Sequence, residues 1–277
     1  MSTRCSHHVT TTDGVTIGGT VHGQGPPLVF LHGIIGDGDL DFQAVVPYLT
    51  DRFACHLPSM RGRGLSGDHP DLSSGRMVDD VLNYIDSLGP PVGLVGWSSG
   101  ADLALAAAAQ SDAVDAVAVY EPAFPPLMDE QARAAYFETF ARMGEQVDEG
   151  RLTDAMRAFA GIPFNDDELT VAEDAGYLEA AGRYVPNLLS TIQQQPEHRG
   201  PTPDDPAVLG AITSPVLVLQ GSGSKPFLTR SARHVADHVP NATEREIPGA
   251  GHAGNLTHPE ALAETLAEFF APAQQPA

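Results

Sequence analysis

The chain has few cysteines, a single lysine and no long apolar run, and each of these shortages excludes or disfavours a class of protein. Only two of its 277 residues are cysteines, Cys5 and Cys55, so it has no disulfide framework. Lysine occurs once, at Lys225, which leaves one weak candidate for Schiff-base chemistry. None of its apolar runs approaches the roughly 20 residues that span a bilayer. The first residues also lack the apolar core of a signal peptide, and together these features predict a cytoplasmic protein.

Positive charge is scarce as well. Fifteen Lys and Arg residues stand against 36 Asp and Glu residues, which gives a formal net charge of −21. A chain with this negative charge repels phosphate groups. Nucleic acids and anionic membrane surfaces are therefore disfavoured as partners. The apolar share of 42% is that of a globular protein, and the length allows one large core with one substantial insertion. The oligomeric state stays open.

Short β-branched runs alternate with segments of helical spacing over much of the chain. Bounded by Gly and Pro, these runs predict strands at 15–21, 28–32, 53–58, 92–97, 114–121, 216–220 and 243–247. Apolar residues at helical spacing predict helices at 42–49, 77–88, 101–110, 231–238 and 259–270. Such alternation implies parallel strands joined by helical crossovers, and therefore an α/β fold.

The alternation is interrupted after Pro122. No strand pattern appears before about Pro206, whereas 130–147, 152–160 and 168–195 are rich in Ala, Glu, Leu and aromatic residues, as helices are. We therefore predict a core made of residues 1–121 and 207–277, with a helical cap at 122–206 inserted into it. The tail at 271–277, rich in Pro, Gln and Ala, is expected to fray.

Gly96-Trp97-Ser98-Ser99-Gly100 is the strongest chemical signal. It follows an apolar run and precedes an Ala-rich helix, the strand–turn–helix context of a nucleophile elbow. The glycines suit a tight turn, and the helix N-terminus favours negative charge that develops beside the serine. Ser98 is the candidate nucleophile, and the backbone N–H of Ser99 is one candidate donor for an oxyanion hole.

The second oxyanion donor should come from the loop after an earlier strand, because two N–H groups must point at one oxygen. Leu31-His32-Gly33-Ile34-Ile35-Gly36 follows the strand at 28–32, and we assign the role to the N–H of Ile34. A plain glycine turn is the alternative. The general base should be a histidine on a late loop, and His252 in Gly249-Ala-Gly-His-Ala-Gly254 fits that position.

These motifs, together with Arg61-Gly-Arg-Gly-Leu-Ser66, make the chain resemble the α/β-hydrolase superfamily from about residue 15 to residue 270. The resemblance implies a mostly parallel sheet of eight strands with the active site at the carboxyl ends of the strands, beneath the cap. The motifs are specific for the fold and much less so for a substrate.

The chain departs from the common family pattern in its acidic residue. Most members carry an Asp after the seventh strand, but the loop at 220–227 contains no carboxylate. Glu121, at the end of the sixth strand, is the candidate instead, as in some dehalogenases and zearalenone-type lactonases. The longer Glu side chain also helps it to reach the histidine. The alternative for Glu121 is a carboxylate that caps the first turn of the cap.

A serine nucleophile forms an acyl-enzyme, so the expected substrate is a small molecule with an ester, lactone, thioester or activated amide carbonyl. The main hypothesis is a carboxylesterase or lactonase that needs no metal or organic cofactor. Two alternatives keep the triad: a cofactor-free lyase, cyclase or C–C hydrolase of secondary metabolism, or a small-molecule receptor. The aromatic residues of the cap could line an apolar pocket, but most of them are expected to form its core. Trp97 and Phe124 are the better candidates for the pocket because they flank the site.

Overall fold

One mixed sheet of eight strands runs through the described residues, 4–194 and 202–271, of the computed structural model. Its strands, β1 to β8, are Arg4–Thr10, Thr16–His22, Pro27–Leu31, Ala54–Pro58, Val92–Trp97, Val114–Tyr120, Val216–Gly221 and Ala242–Ile247. Their order in the sheet is β1-β2-β4-β3-β5-β6-β7-β8. The β1–β2 and β2–β4 pairs are antiparallel and all the others are parallel. The predicted mostly parallel sheet of eight strands is therefore confirmed.

The central strands are buried on both faces, which explains their continuous apolar runs. In β3, Leu28 and Phe30 pack into one core cluster, whereas Val29 and Leu31 pack into the cluster on the other face. This alternation follows from the two-residue repeat of a strand. One core lies on each face of the sheet, between the sheet and a layer of helices. Because strands β3 to β8 are parallel, their carboxyl ends meet at one edge of the sheet.

Strand β1, at the edge of the sheet, is not predicted by the sequence pattern. Its sequence, Arg-Cys-Ser-His-His-Val-Thr, has no apolar alternation because most of its residues are exposed. The strand pairs with β2 along its whole length, from Arg4 opposite His22 to Thr10 opposite Thr16. An edge strand of this kind forms through backbone pairing, which leaves little trace in side-chain type.

Twelve α-helices occur in the described residues. Seven belong to the α/β core: α1 Gly38–Phe42, α2 Ser74–Leu88, α3 Ser99–Ala108, α9 Pro206–Gly210, α10 Pro226–His238, α11 Gly254–Thr257 and α12 Pro259–Phe269. The single helix predicted at 42–49 is wrong: α1 ends at Phe42 and a 3-10 turn follows at Val46–Tyr48. Pro47 lacks the N–H that a continuous α-helix needs there. No helix in the described residues is both long enough and apolar enough to cross a membrane.

Between β6 and residue 194, the described part of the chain is mainly helical. It forms a 3-10 turn at Pro125–Leu127 and then α4 Glu130–Asp148, α5 Leu152–Ala160, α6 Asp166–Asp174, α7 Tyr177–Gly182 and α8 Val185–Gln194. The segment predicted as one helix at 168–195 is three helices, and Gly176, with φ of 67°, separates the first two. Gln195 and the tail at 272–277 lie outside the described residues. We call α4–α8 the cap helices; the boundaries 122–206 stay a prediction.

Buried polar groups join the cap helices to the loop after β3. Asp37 accepts hydrogen bonds from the Tyr184 hydroxyl at 2.5 Å and from Arg183 Nη2 at 3.0 Å. Asp41 accepts from the Tyr177 hydroxyl at 2.7 Å. These bonds fix α7 and the start of α8 over the edge of the sheet where the parallel strands end.

Candidate active site

Ser98 occupies the sharp turn between β5 and α3. Its φ of 55° and ψ of −125° lie in a region that residues with a Cβ rarely adopt. The turn closes tightly: a Cβ on Gly96 would lie 2.4 Å from the Gly100 carbonyl oxygen, and one on Gly100 would lie 2.0 Å from that of Leu31. Both glycines of the motif are therefore required, and the serine is presented at the carboxyl end of the central strand.

Glu121 is the other strained residue. In the described part of the chain, Ser98 and Glu121 are the two non-glycine residues with positive φ, which is 49° for Glu121. Its N–H donates to the Leu219 carbonyl at 2.9 Å, one residue beyond the end of β6, so the chain still pairs with β7 there. Backbone strain of this kind persists where the surroundings enforce it, and it is concentrated at functional sites.

The structure brings Glu121 and His252 together, although 131 residues separate them. The His252 Nδ1 lies 2.8 Å from Glu121 Oε2, and both side chains are buried. The other carboxylate oxygen, Oε1, accepts from the Gly221 N–H at 2.8 Å and from the Ser224 hydroxyl. A proton on Nδ1 leaves Nε2 as the ring nitrogen that can accept another.

The end of β7 and the loop after it therefore provide hydrogen-bond donors where most family members carry the acid. Gly221 is the last residue of β7, Ser224 lies in the loop, and both orient the carboxylate of Glu121. Glycine is needed at position 221, because a Cβ there would lie 2.2 Å from the Ala250 carbonyl oxygen. Residues 220–227 thus contain no carboxylate, and two of them instead bind the carboxylate of Glu121.

Three side chains hold the backbone of the loop that carries His252, and sequence analysis missed these contacts. The Trp97 Nε1 donates to the His252 carbonyl at 2.8 Å, and the Tyr120 hydroxyl donates to the Gly251 carbonyl. The Ala253 N–H donates to Glu168 Oε1 at 2.6 Å. Trp97 and Tyr120 stand at the ends of β5 and β6, so the sheet itself positions the histidine.

A cavity of about 90 Å³ contains the predicted site residues. Ser98, His252, Trp97 and the candidate oxyanion residues Ile34 and Ser99 all line it. At about 30 Å³ per water molecule, it has room for roughly three waters. The rest of its wall is mainly apolar and comes largely from the cap side and α10: Met128, Tyr136, Phe159, Ile162, Pro163 and Phe227.

Buried polar groups support the loop at 33–36, which carries Ile34. His32 Nε2 accepts from the Met60 N–H at 2.9 Å, so its Nδ1–H is the group that donates to the Gly33 carbonyl at 2.7 Å. Asp41 Oδ2 accepts from the Gly33 N–H at 2.9 Å. Burial lowers the pKa of His32 to about 4, so this imidazole is neutral at neutral pH.

Phe124 and Trp97 do not share one pocket. A larger cavity of about 1070 Å³ adjoins the small one, and Phe124 lines only the larger of the two. Its ring packs edge-on against His234, with the centroids 6.1 Å apart. The two cavities have Ile34, Ser99, Asp102, Ala123 and Pro125 in common, so they meet beside the candidate oxyanion residues.

Asp102 is a site residue that sequence analysis missed. It lies in the first turn of α3, four residues after Ser98, and lines both cavities. One of its carboxylate oxygens accepts from the Ala123 N–H at 3.3 Å. Burial raises the pKa of Asp102 well above its ordinary value, and the negative charge of Asp204 raises it further. Residues four apart share a helix face, so the motif could have indicated its position.

The class of α/β hydrolases is defined by a serine in a strand–turn–helix motif on a mostly parallel sheet. In this class a buried histidine–carboxylate pair lies at the carboxyl ends of the strands, as it does here. Residues 26–259 match the family model described as alpha/beta hydrolase fold. The chain belongs to this family.

The chain is similar to characterised hydrolases over nearly its whole length. It is 28% identical over 264 residues to the 2-(acetamidomethylene)succinate hydrolase of Mesorhizobium japonicum, covering 92% of each chain. It is 28% identical over 254 residues to the pimeloyl-[acyl-carrier protein] methyl ester esterase of Chromobacterium violaceum, covering 90% of this chain and 95% of that one. An α/β hydrolase of Sphaerobacter thermophilus superposes with a TM-score of 0.75 at 28% identity, covering 96% and 100%. Ester cleavage therefore occurs among its relatives.

The neutral, buried His32 makes stability depend on pH. The unfolded chain takes up a proton near pH 6.5, whereas the folded state does so only near pH 4. Stability from this residue is therefore complete above pH 6.5 and is lost as the pH falls towards 4, by at most about 3 kcal/mol. We expect His32→Asn to lower the Tm at pH 7.5 and to flatten its decline between pH 7 and 4.5.

Melting curves at half-unit pH steps measure this effect. The exposed His8 provides the matched control, and His8→Asn should keep the wild-type slope. A residual slope is expected from His56, since burial lowers its pKa to about 4 as well. A His32→Asn protein whose Tm declines as steeply as that of the wild type would contradict the prediction.

Proposed function

We propose that the protein is a serine hydrolase that cleaves a carboxylic ester or lactone through an acyl-enzyme. The observation that carries this proposal is the buried hydrogen bond between His252 Nδ1 and Glu121, formed by a histidine that lines the same cavity as Ser98. Ser98 and Glu121 are also the two non-glycine residues with positive φ in the described part of the chain, and backbone strain is concentrated at functional sites. The esterase among the relatives supports the same class of reaction.

The mechanism assigns one role to each residue. Ser98 attacks the carbonyl carbon while Nε2 of His252 takes the hydroxyl proton. The N–H groups of Ile34 and Ser99 stabilise the oxyanion, and the imidazolium then protonates the leaving group. Water repeats the sequence and releases the acid. Glu121 stays ionised throughout: it holds the imidazole in the required tautomer and stabilises the imidazolium.

The cavities limit the substrate. The small cavity holds a short apolar group, such as a short acyl chain or part of a compact lactone, next to Ser98. The adjoining larger cavity accommodates the remainder. Among the described residues that line the small cavity none is Lys or Arg, so no permanent positive charge would stabilise an anionic group there. We therefore propose that the group bound beside Ser98 is uncharged.

One observation favours a second candidate. The relative named 2-(acetamidomethylene)succinate hydrolase is covered over 92% of its length, and its name does not specify an ester. The same residues could hydrolyse another activated bond in a small molecule, such as a C–C bond, or retain a ligand without turnover. That relative's name also specifies a succinate, however, and the described lining of the small cavity contains no Lys or Arg that would bind a carboxylate near Ser98.

The nucleophile is tested first. We expect the wild type to hydrolyse p-nitrophenyl acetate, p-nitrophenyl butyrate or members of a lactone panel, and Ser98→Ala to lose this turnover, because no acyl-enzyme can form without the hydroxyl. Initial rates, together with circular dichroism to show that both proteins are folded, measure the outcome. Ser111→Ala, on the loop after α3, is the matched control. A folded wild type without turnover would favour the second candidate, and ligand screening would follow.

The acid is tested by Glu121→Gln. The amide keeps the shape of the side chain but removes the charge that stabilises the imidazolium, so kcat should fall by roughly 10³-fold or more. The exposed Glu246 on β8 provides the control, and Glu246→Gln should leave kcat unchanged. A near-normal kcat in folded Glu121→Gln would transfer the role to another carboxylate.

Asp102 is tested by a pair of substrates of similar shape. p-Nitrophenyl butyrate ends in a methyl group where p-nitrophenyl hemisuccinate carries a carboxylate. We expect the preference of the wild type for the butyrate to increase as the pH rises and Asp102 loses its proton, and Asp102→Asn to remove this increase in the kcat/KM ratio, because the like-charge repulsion then no longer forms. Asp112→Asn, at an exposed position after α3, is the control. The same increase with pH in Asp102→Asn would exclude a role in selectivity.

A further inference from the structure

Glu168, in the first turn of cap helix α6, contacts both its own helix and the histidine loop. The helix begins with a capping box: Asn165 Oδ1 accepts from the Glu168 N–H, and Glu168 Oε2 accepts from the Asn165 N–H, both at 3.0 Å. The second oxygen, Oε1, accepts from the Ala253 N–H at 2.6 Å. A capping box uses only one carboxylate oxygen, so the second is available to bind the residue that follows His252.

The cap and the loop approach so closely that a side chain at residue 251 would displace Asn165 or Glu168. A Cβ on Gly251 would lie 2.6 Å from Glu168 Oε2 and equally close to Asn165 Nδ2. Asn165 also donates to the Gly223 carbonyl at 3.4 Å, in the loop that carries Ser224. The start of α6 therefore contacts the loop of the base and the loop that orients the acid.

Glu168 also places a second carboxylate near the imidazole. The charged and titratable groups that face it are His252 on its loop, Glu121 and Tyr120 at the end of β6, and Lys225 at the start of α10. Burial raises the pKa of Glu168, the Glu121 carboxylate raises it further, and a protonated His252 lowers it. Glu168 and His252 thus stabilise each other when the imidazole is protonated.

We propose that Glu168 is a positioning residue of the active site, which orients the His252 loop through the Ala253 N–H and supplies a second negative charge that stabilises the imidazolium. The inference rests on the proposed function, in which His252 is the general base. It makes the cap helices part of the catalytic apparatus, beyond forming a wall of the cavity.

Glu168→Gln removes the charge and keeps the shape of the side chain. Its single amide oxygen can still accept the Ala253 N–H, whereas the capping-box bond from the Asn165 N–H is lost. Without the charge the imidazole of His252 protonates at lower pH. The acidic limb of the pH profile of kcat/KM should therefore move to lower pH, by roughly half a pH unit or more. We expect kcat to fall about tenfold and KM to change less than threefold, since Glu168 does not touch substrate. Glu168→Asp retains the charge and should return the limb towards its wild-type position.

Asp166→Asn is the matched control: it lies in the same first turn of α6 and loses the same charge, but it is exposed. Its pH profile should equal that of the wild type. A purely structural role predicts that Glu168→Gln lowers Tm and the fraction of active enzyme while the acidic limb stays in place, and that result would overturn the proposal. If Glu168→Gln does not fold, Gly251→Ala disturbs the same contact from the loop while it keeps the charge, and a kcat equal to that of the wild type in this variant would overturn the positioning role.

A measurement that does not depend on turnover tests the role of Glu168 separately from the proposed hydrolase function. NMR titration of the ring nitrogens of His252 follows protonation directly in the wild type and in Glu168→Gln. Protonation at lower pH in the variant supports the coupling even if no ester is hydrolysed, in which case the proposed function fails alone. Identical titration curves in an active enzyme would refute the role of Glu168 and leave the hydrolase intact.

Discussion

The hydrogen bond between Glu121 and His252 is the contact on which the arrangement of the site depends. It forms because β6 and β7 are neighbours in the sheet, so the chain just beyond β6 still pairs with Leu219. That pairing holds Glu121 in a left-handed conformation, from which its carboxylate meets both the Gly221 N–H and the imidazole. The energetic cost of the strained backbone, of order 1–3 kcal/mol, is offset by three hydrogen bonds to a buried carboxylate.

The cap helices and the core form one polar network around the site. Tyr177 binds Asp41, which also holds the Gly33 N–H, so a cap residue supports the loop that carries Ile34. Glu168 binds the Ala253 N–H on the loop that carries His252. The cap therefore acts on the site in two ways: residues of α4, α5 and the loop after α5 line the small cavity, whereas α6 and α7 fix the loops of the proposed base and oxyanion hole.

The sequence was sufficient to predict the features that depend on local pattern. The parallel strands are apolar runs, the elbow around Ser98 is a short motif, and Glu121 followed from the missing carboxylate after β7. Strand β1 could not be predicted because its exposed residues carry no periodicity. The contacts of Trp97 and Glu168 with the histidine loop were also missed, because they join residues 155 and 85 positions apart, and the residue types alone do not indicate such bonds.

Lys225 lies where the cap meets the core. Its ammonium group donates to the Gly161 carbonyl at 2.7 Å, between the end of α5 and the start of α10. Because the chain has no other lysine, amine-directed reagents for cross-linking or immobilisation have this one side chain to modify. Such coupling would disturb the junction beside the small cavity. The 36 acidic residues, by contrast, offer many surface positions for attachment through carboxyl groups.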